Sequence, residues 1–218
     1  MPGTTYELAI TNQSDQELDF CLYQDNPNIS NSKVMSTAWL KKTLAPTSQG
    51  KFTWTVDWSF MWDETGTPAP GVSFEVGQTW PADPSASNTW STPTVGGDQV
   101  NLTYNASNDT YTFETGKGQH NPPPQDGILY IYQQNPIPPG QASIGLGMSG
   151  KPVYALQAEP NLHANFDATP VYYITAGTYT EGIVLDVTQI TEKAEVQFPT
   201  NVFSMTATLT STNIWSVA

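Results

Sequence analysis

The sequence predicts an all-β protein, an antiparallel β-sandwich of about a dozen strands with little helix. Three observations carry that expectation. Lys51 to Trp62, KFTWTVDWSFMW, places a large apolar side chain at every even position (Phe52, Trp54, Val56, Trp58, Phe60, Trp62) and mostly polar ones between them, the period of two of a strand. Only 12% of the 218 residues are charged, about half the usual share, and Thr, Ser, Asn, Gln, Gly and Pro fill the polar positions, as in turn-rich β proteins. No long helical pattern interrupts the short alternating runs.

The elements follow in order. Tyr6, Leu8 and Ile10 alternate with polar or small residues, Asn12-Gln13-Ser14-Asp15 supplies a turn, and Leu18, Phe20 and Leu22 resume, an opening hairpin. Val34 to Lys42 suits a strand better than a helix. The aromatic stretch comes next. Five aromatics at about 150–250 Å² each must be mostly covered, yet the run would span roughly 36 Å against about 17–20 Å for a usual strand. One end is therefore expected to overshoot the core, with Phe52 to Trp58 as the central strand and Phe60 to Trp62, with the Asp63–Gly71 turn, nearer the surface. Val72, Phe74 and Val76 start the return strand, and residues 77–98 form a long Pro/Gly-containing loop carrying Trp80 and Trp90. Val100 to Tyr104 and Tyr111 to Phe113 flank a hairpin turn. After the Gly/Pro-rich segment 116–127, strands are expected near Ile128–Tyr132, Val153–Leu156, Val171–Ile174, Gly182–Val187, Glu195–Phe198 and Asn201–Leu209, with Ile214-Trp215 as a closing apolar anchor.

A single domain over 1–218 accommodates this pattern; the alternative is two similar subdomains, 1–115 and 128–218, joined by the Gly/Pro-rich segment. Tyr23-Gln24-Asp25-Asn26-Pro27 recurs as Tyr132-Gln133-Gln134-Asn135-Pro136, which suggests a duplication, although Asn-Pro after a strand is also a generic stop.

Twenty acidic residues against seven basic ones, all lysine, give a net charge of −13. A phosphate-gripping surface needs clustered Lys and Arg, so nucleic acid is not an expected partner, and an anionic membrane surface is disfavoured on the same ground. The single cysteine, Cys21, forms no intrachain disulfide and reads as a small buried hydrophobe. No apolar run long enough to span a membrane as a helix and no conventional secretory signal is present; the expected location is the cytoplasm, or outside the cell by another export route.

Catalytic motifs are sparse. Only His120 and His163 could serve a triad, and neither has a recognisable setting. One cysteine and two distant histidines do not make a zinc site, and no cofactor or metal is expected. Asp57 opposite Glu75 on a neighbouring strand is the carboxylate pair to weigh for glycoside hydrolysis. The remaining signal is aromatic. Tryptophan among Asn, Thr and Asp stacks on the apolar face of a sugar while neighbouring polar groups bond its hydroxyls. That makes Trp62, Trp80 and Trp90, with Asp63 at the start of the turn, the candidate ligand-binding residues. The same side chains could instead plug the open ends of a sandwich.

Leu18-Asp19-Phe20-Cys21-Leu22-Tyr23-Gln24, Val34-Met35-Ser36-Thr37-Ala38-Trp39 and Phe52 to Trp62 resemble the rhizosphere-induced (RhiA-like) family of bacteria, mainly over the N-terminal third. The resemblance implies a small soluble protein made abundantly under population-density control in root-associated bacteria, without catalytic residues to carry over. The expected function is a non-catalytic binding or interaction protein with a glycan or protein partner. A glycoside-active enzyme and an exported toxin or assembly component are the alternatives.

Overall fold

The computed structural model describes residues 3–25, 33–88, 95–115 and 125–218. Within them the chain is all strand, with no helix. Sheet I has the order β19 (Trp215–Val217), β18 (Ser204–Leu209), β1 (Thr5–Asn12), β5 (Gln49–Thr55). Sheet II runs β11 (Thr110–Thr115), β10 (Gln99–Asn105), β12 (Ile128–Gln133), β15 (Leu162–Asp167). Sheet III contains β3 (Met35–Ser36), β14 (Lys151–Gln157), β13 (Ser143–Met148), β6 (Trp58–Asp63), β7 (Gln78–Pro81). Sheet IV contains β17 (Lys193–Val196), β16 (Tyr172–Gly177), β2 (Leu18–Gln24), β4 (Leu40–Leu44), and β8 (Ser87–Asn88) pairs with β9 (Val95–Gly96). The pairings are antiparallel except β1 with β18 and β10 with β12, which are parallel. One contiguous apolar cluster draws side chains from all four large sheets, including Leu8, Phe20, Phe52, Phe60, Leu102, Ile144 and Phe166.

The all-β, sandwich-like class is as the sequence indicates, but the aromatic stretch is not one strand. It breaks at Val56-Asp57, where the Val56 N–H bonds Thr4 O and the chain turns from sheet I into sheet III. Phe52 and Trp54 are buried in β5, and every residue of β6 is buried, because β6 lies between β13 and β7 with both faces covered. The expected overshoot at Phe60–Trp62 is thus corrected: these rings are core. The expected return strand at Val72–Val76 is also displaced. Phe74 tucks beside Met61, Ala155 and Val184, and the hairpin partner of β6 is β7. Beside β6, the Gly-rich β13 fits against β14 because a Cβ on Gly145 would collide with the Tyr154 carbonyl oxygen.

The topology does not divide at the Gly/Pro-rich segment, since each large sheet contains strands from both sides of it. It repeats instead. The order β19-β18-β1-β5 matches β11-β10-β12-β15, and β17-β16-β2-β4 matches β7-β6-β13-β14, with every parallel and antiparallel sense kept. Along the chain, β1, β2, β4, β5, β6, β7, β10 and β11 are followed in the same order by β12 to β19. The two halves therefore exchange strands.

Registers confirm the correspondence. Leu8 faces Phe52 as Leu129 faces Phe166, and Phe60 faces Leu146 and Trp80 as Ile174 faces Leu22 and Ala194. Gln13 N–H donates to Leu209 O at 2.8 Å as Gln134 N–H donates to Leu102 O at 3.0 Å. The turns before β5 and β15 each hold a non-glycine residue in the left-handed region, Thr47 (φ 60) and Asn161 (φ 58). A fully buried amide ends β1 and β12 and grips that turn: Asn12 Nδ2 donates to Leu44 O (3.0 Å) and Ala45 O (3.2 Å), and Gln133 Oε1 accepts from Glu159 N–H (2.7 Å). The Tyr-Gln-x-Asn-Pro echo is not in this register. Tyr23-Gln24 end β2 and Tyr132-Gln133 end β12, whose counterpart is β1.

Candidate ligand-binding clefts

The structure scatters the residues that the sequence nominates. Trp62 is buried, 8% exposed, with its Nε1 donating to Gln78 Oε1 at 2.9 Å and its ring 5.6 Å from Tyr111. It is a plug. Asp63 is fully buried and accepts from Thr65 N–H (3.3 Å), Thr65 Oγ1 (2.6 Å) and Glu75 N–H (3.1 Å), so its oxygens cap the following turn. Burial pushes its carboxyl above the ordinary value of 3.8 although these hydrogen bonds act the other way. Trp80 is half-buried on edge strand β7, packed against the core. Trp90 lies outside the described residues, as does His120.

Asp57 and Glu75 do not form a pair. Asp57 sits before β6 and accepts from Ser149 N–H at 2.7 Å, while the Glu75 backbone bonds Asp63 at the strand's other end. The six-residue strand between them spans about 17 Å, well beyond the roughly 5–9.5 Å that glycoside hydrolysis uses. Among the described residues no group of three or more His, Cys, Asp or Glu side chains is placed to hold a metal, and no helix is long and apolar enough to cross a membrane. Cys21 is buried, and desolvation raises its thiol far above the ordinary range, so no thiolate is available there.

Two surface clefts lie elsewhere. The larger, of about 270 Å³, is lined by Tyr6, Tyr172 and Phe198 together with Thr169, Glu195 and Gln197. Its rings are mutually braced: Tyr6 stands 4.7 Å edge-on to Phe198 and 6.0 Å stacked on Trp54, and Trp54 packs edge-on against Tyr172 at 5.1 Å. Phe203, 47% exposed, extends the aromatic surface 5.6 Å from Tyr6. Burial pushes the Tyr172 phenol upward, so its hydroxyl stays protonated at neutral pH. Sequence reading misses this site because Tyr6 and Phe198 are brought together only by the closure of β1 onto β18. The available signal is local: Phe198-Pro199-Thr200-Asn201-Val202-Phe203 sets two aromatics around a turn.

The second cleft, of about 210 Å³, lies at the ends of β16 and β18 and is lined by the apolar Leu18, Ala176, Leu209 and Trp215 and the polar Gln16, Glu192 and Asn213. Trp215 is half-buried, edge-on to Phe20 at 5.7 Å. Its Nε1 is buried and has no hydrogen-bond partner among the described residues. Ile214 beside it is 63% exposed.

Fold and surface together define an all-β protein of interleaved sheets whose open features are aromatic clefts. A family model described as RhiA matches residues 3–218, and the chain belongs to this rhizosphere-induced protein family. Protein RhiA of Rhizobium leguminosarum bv. viciae is 34% identical over 221 residues, covering 99% of this chain and 87% of that protein. The match runs the whole length and is not confined to the N-terminal third, where the three aromatic blocks lie. No solved structure matches.

Proposed function

We propose that this chain is a non-catalytic binding protein whose ligand is a carbohydrate, held at the Tyr6–Tyr172–Phe198 cleft. The observation that carries the reading is the cleft's composition. Braced aromatic faces stand beside an exposed hydroxyl, carboxylate and amide, the pairing that stacks on a pyranose and bonds its hydroxyls. The acidic balance and the absence of arginine favour a neutral or basic glycan over an acidic one. Trp62 and Asp63 lie outside this cleft, and their hydrogen-bonding groups are already engaged inside the protein.

A glycan array followed by fluorescence titration tests it. Trp54, 5.7 Å from Phe198 and 6.0 Å from Tyr6, is a built-in reporter. Binding should weaken about tenfold or more in Phe198→Ala and stay unchanged in Trp80→Ala. Flat responses across plant and microbial polysaccharides would end the carbohydrate reading, and loss in Trp80→Ala alone would return the surface to β7.

A further inference from the structure

We propose that the cleft beside Ala176 is a second binding site, for a small uncharged aromatic molecule carrying a ring N–H or O–H donor. The repeat supplies the reasoning. By the registers of the two halves, Leu18, Ala176, Leu209 and Trp215 correspond to Ala142, Trp62, Leu102 and Phe113, and Glu192, one residue before β17, continues the register to Gln78; Asn213 lies in the β18–β19 turn, which is shorter than the β10–β11 hairpin that carries Tyr111. In the first half this place is full. The indole of Trp62 occupies it, beside the Tyr111 ring, with its N–H on the Gln78 amide oxygen. In the second half Ala176 stands in place of the indole and the shorter β18–β19 hairpin brings no ring like Tyr111, and a cleft of about 210 Å³ lies there.

The recognition groups persist after the rings are gone. Glu192 stands where Gln78 stands and is purely an acceptor when ionised, so it suits the same in-plane donor. Trp215 replaces Phe113 as the aromatic wall. The volume is below the roughly 300–1,000 Å³ of drug-sized pockets, which points to one ring system. Glu192 and the net charge of −13 select against a carboxylate on the ligand. None of these residues lines the Tyr6–Tyr172–Phe198 cleft, so the two proposals stand independently.

The probes are indole, phenol and benzoate, titrated against the full chain with the Trp215 Nε1–H resonance as readout, assigned through Trp215→Phe. Indole and phenol should shift it saturably, and benzoate should not. Ala176→Trp, which installs the first half's plug, should weaken indole binding at least about tenfold. Ala176→Leu, a smaller filling change at the same position, should weaken it in the same direction and keeps the test decisive if the first variant fails to fold. Phe198→Ala should leave indole affinity unchanged. Absence of a saturable Trp215 shift, or unaltered affinity in a folded Ala176→Trp or Ala176→Leu protein, would overturn the proposal.

Discussion

At one place in the first half of the fold stands an indole, Trp62, and at the matching place in the second half stands a methyl group, Ala176. The strands around both are laid out alike, so the backbone repeat is maintained while the filling is not. A second contrast lies one residue further along. The turn after β6 is capped by Asp63 of β6 itself, which accepts from Thr65 N–H; the turn after β16 is capped by Asp19 of the neighbouring β2, which accepts from Tyr179 N–H. Opposite each carboxylate the other strand carries the small residue, Ser143 in one half and Gly177 in the other. The same backbone requirement is thus met from opposite strands, and the electrostatic outcomes differ. Asp63 is sealed among hydrogen-bond donors without a cation. Asp19 has the Lys41 ammonium at 3.0 Å and the Thr43 hydroxyl at 2.6 Å.

The largest effect should come from emptying the filled site. Trp62→Ala should cost about 3–5 kcal/mol in urea unfolding, whereas Trp215→Ala, which removes a half-buried ring from an open site, should cost about 1–2 kcal/mol. Equal losses would show that the second site is as tightly packed as the first.

Next comes pH. Burial raises the Asp63 carboxyl above 3.8, so the native state holds a proton more readily than the unfolded chain; its contribution to stability falls as pH rises from 3.8 through the raised value. For Asp19, desolvation also pushes upward, but the bonds from Thr43, the Tyr179 backbone and Lys41 outweigh it and the carboxyl ends below 3.8. Its contribution is present above that value and lost as pH falls through the lowered one. Melting temperatures of Asp63→Asn and Asp19→Asn, each relative to wild type from about pH 3 to 7, should move in opposite directions: Asp63→Asn gains relative to wild type as pH rises, and Asp19→Asn loses. Parallel trends would erase the distinction.

The smallest effect concerns the matched turns. A β-branched residue is strained in the left-handed region and asparagine much less so. Thr47→Gly should therefore add up to about 1 kcal/mol and Asn161→Gly only a few tenths, read from denaturation midpoints.

Much of the strand content was legible because alternation reports burial on one face. It could not report β6, where both faces are covered: Ser59, Met61 and Asp63 look like an outer row but are all buried. Nor could it reveal that Val56-Asp57 is a corner, since the even-numbered stripe runs through it. The repeat was hidden for a related reason. Counterparts such as Trp54 and Ala168, or Trp62 and Ala176, share a backbone position and no side-chain chemistry. What survives is the turn-gripping hardware: Ile10-Thr11-Asn12-Gln13 beside Ile131-Tyr132-Gln133-Gln134, Pro46 beside Pro160, Phe52 beside Phe166. The more conspicuous echo misled because it placed two non-equivalent strand ends together. Of the nominated residues, Trp62 and Asp63 are buried with their polar groups bonded inside the protein, and Tyr6 is not legible together with Phe198 and Phe203 because nearly the whole chain separates it from them.

The exchange of strands between halves also governs how the chain must assemble. Neither half owns a complete large sheet, so the decisive contacts close over long stretches of sequence, a topology that slows folding. A cut between Thr115 and Gln125 would leave two fragments each lacking the strands that complete its sheets. They should regain structure only when mixed, with a melting midpoint that rises with concentration like that of a heterodimer.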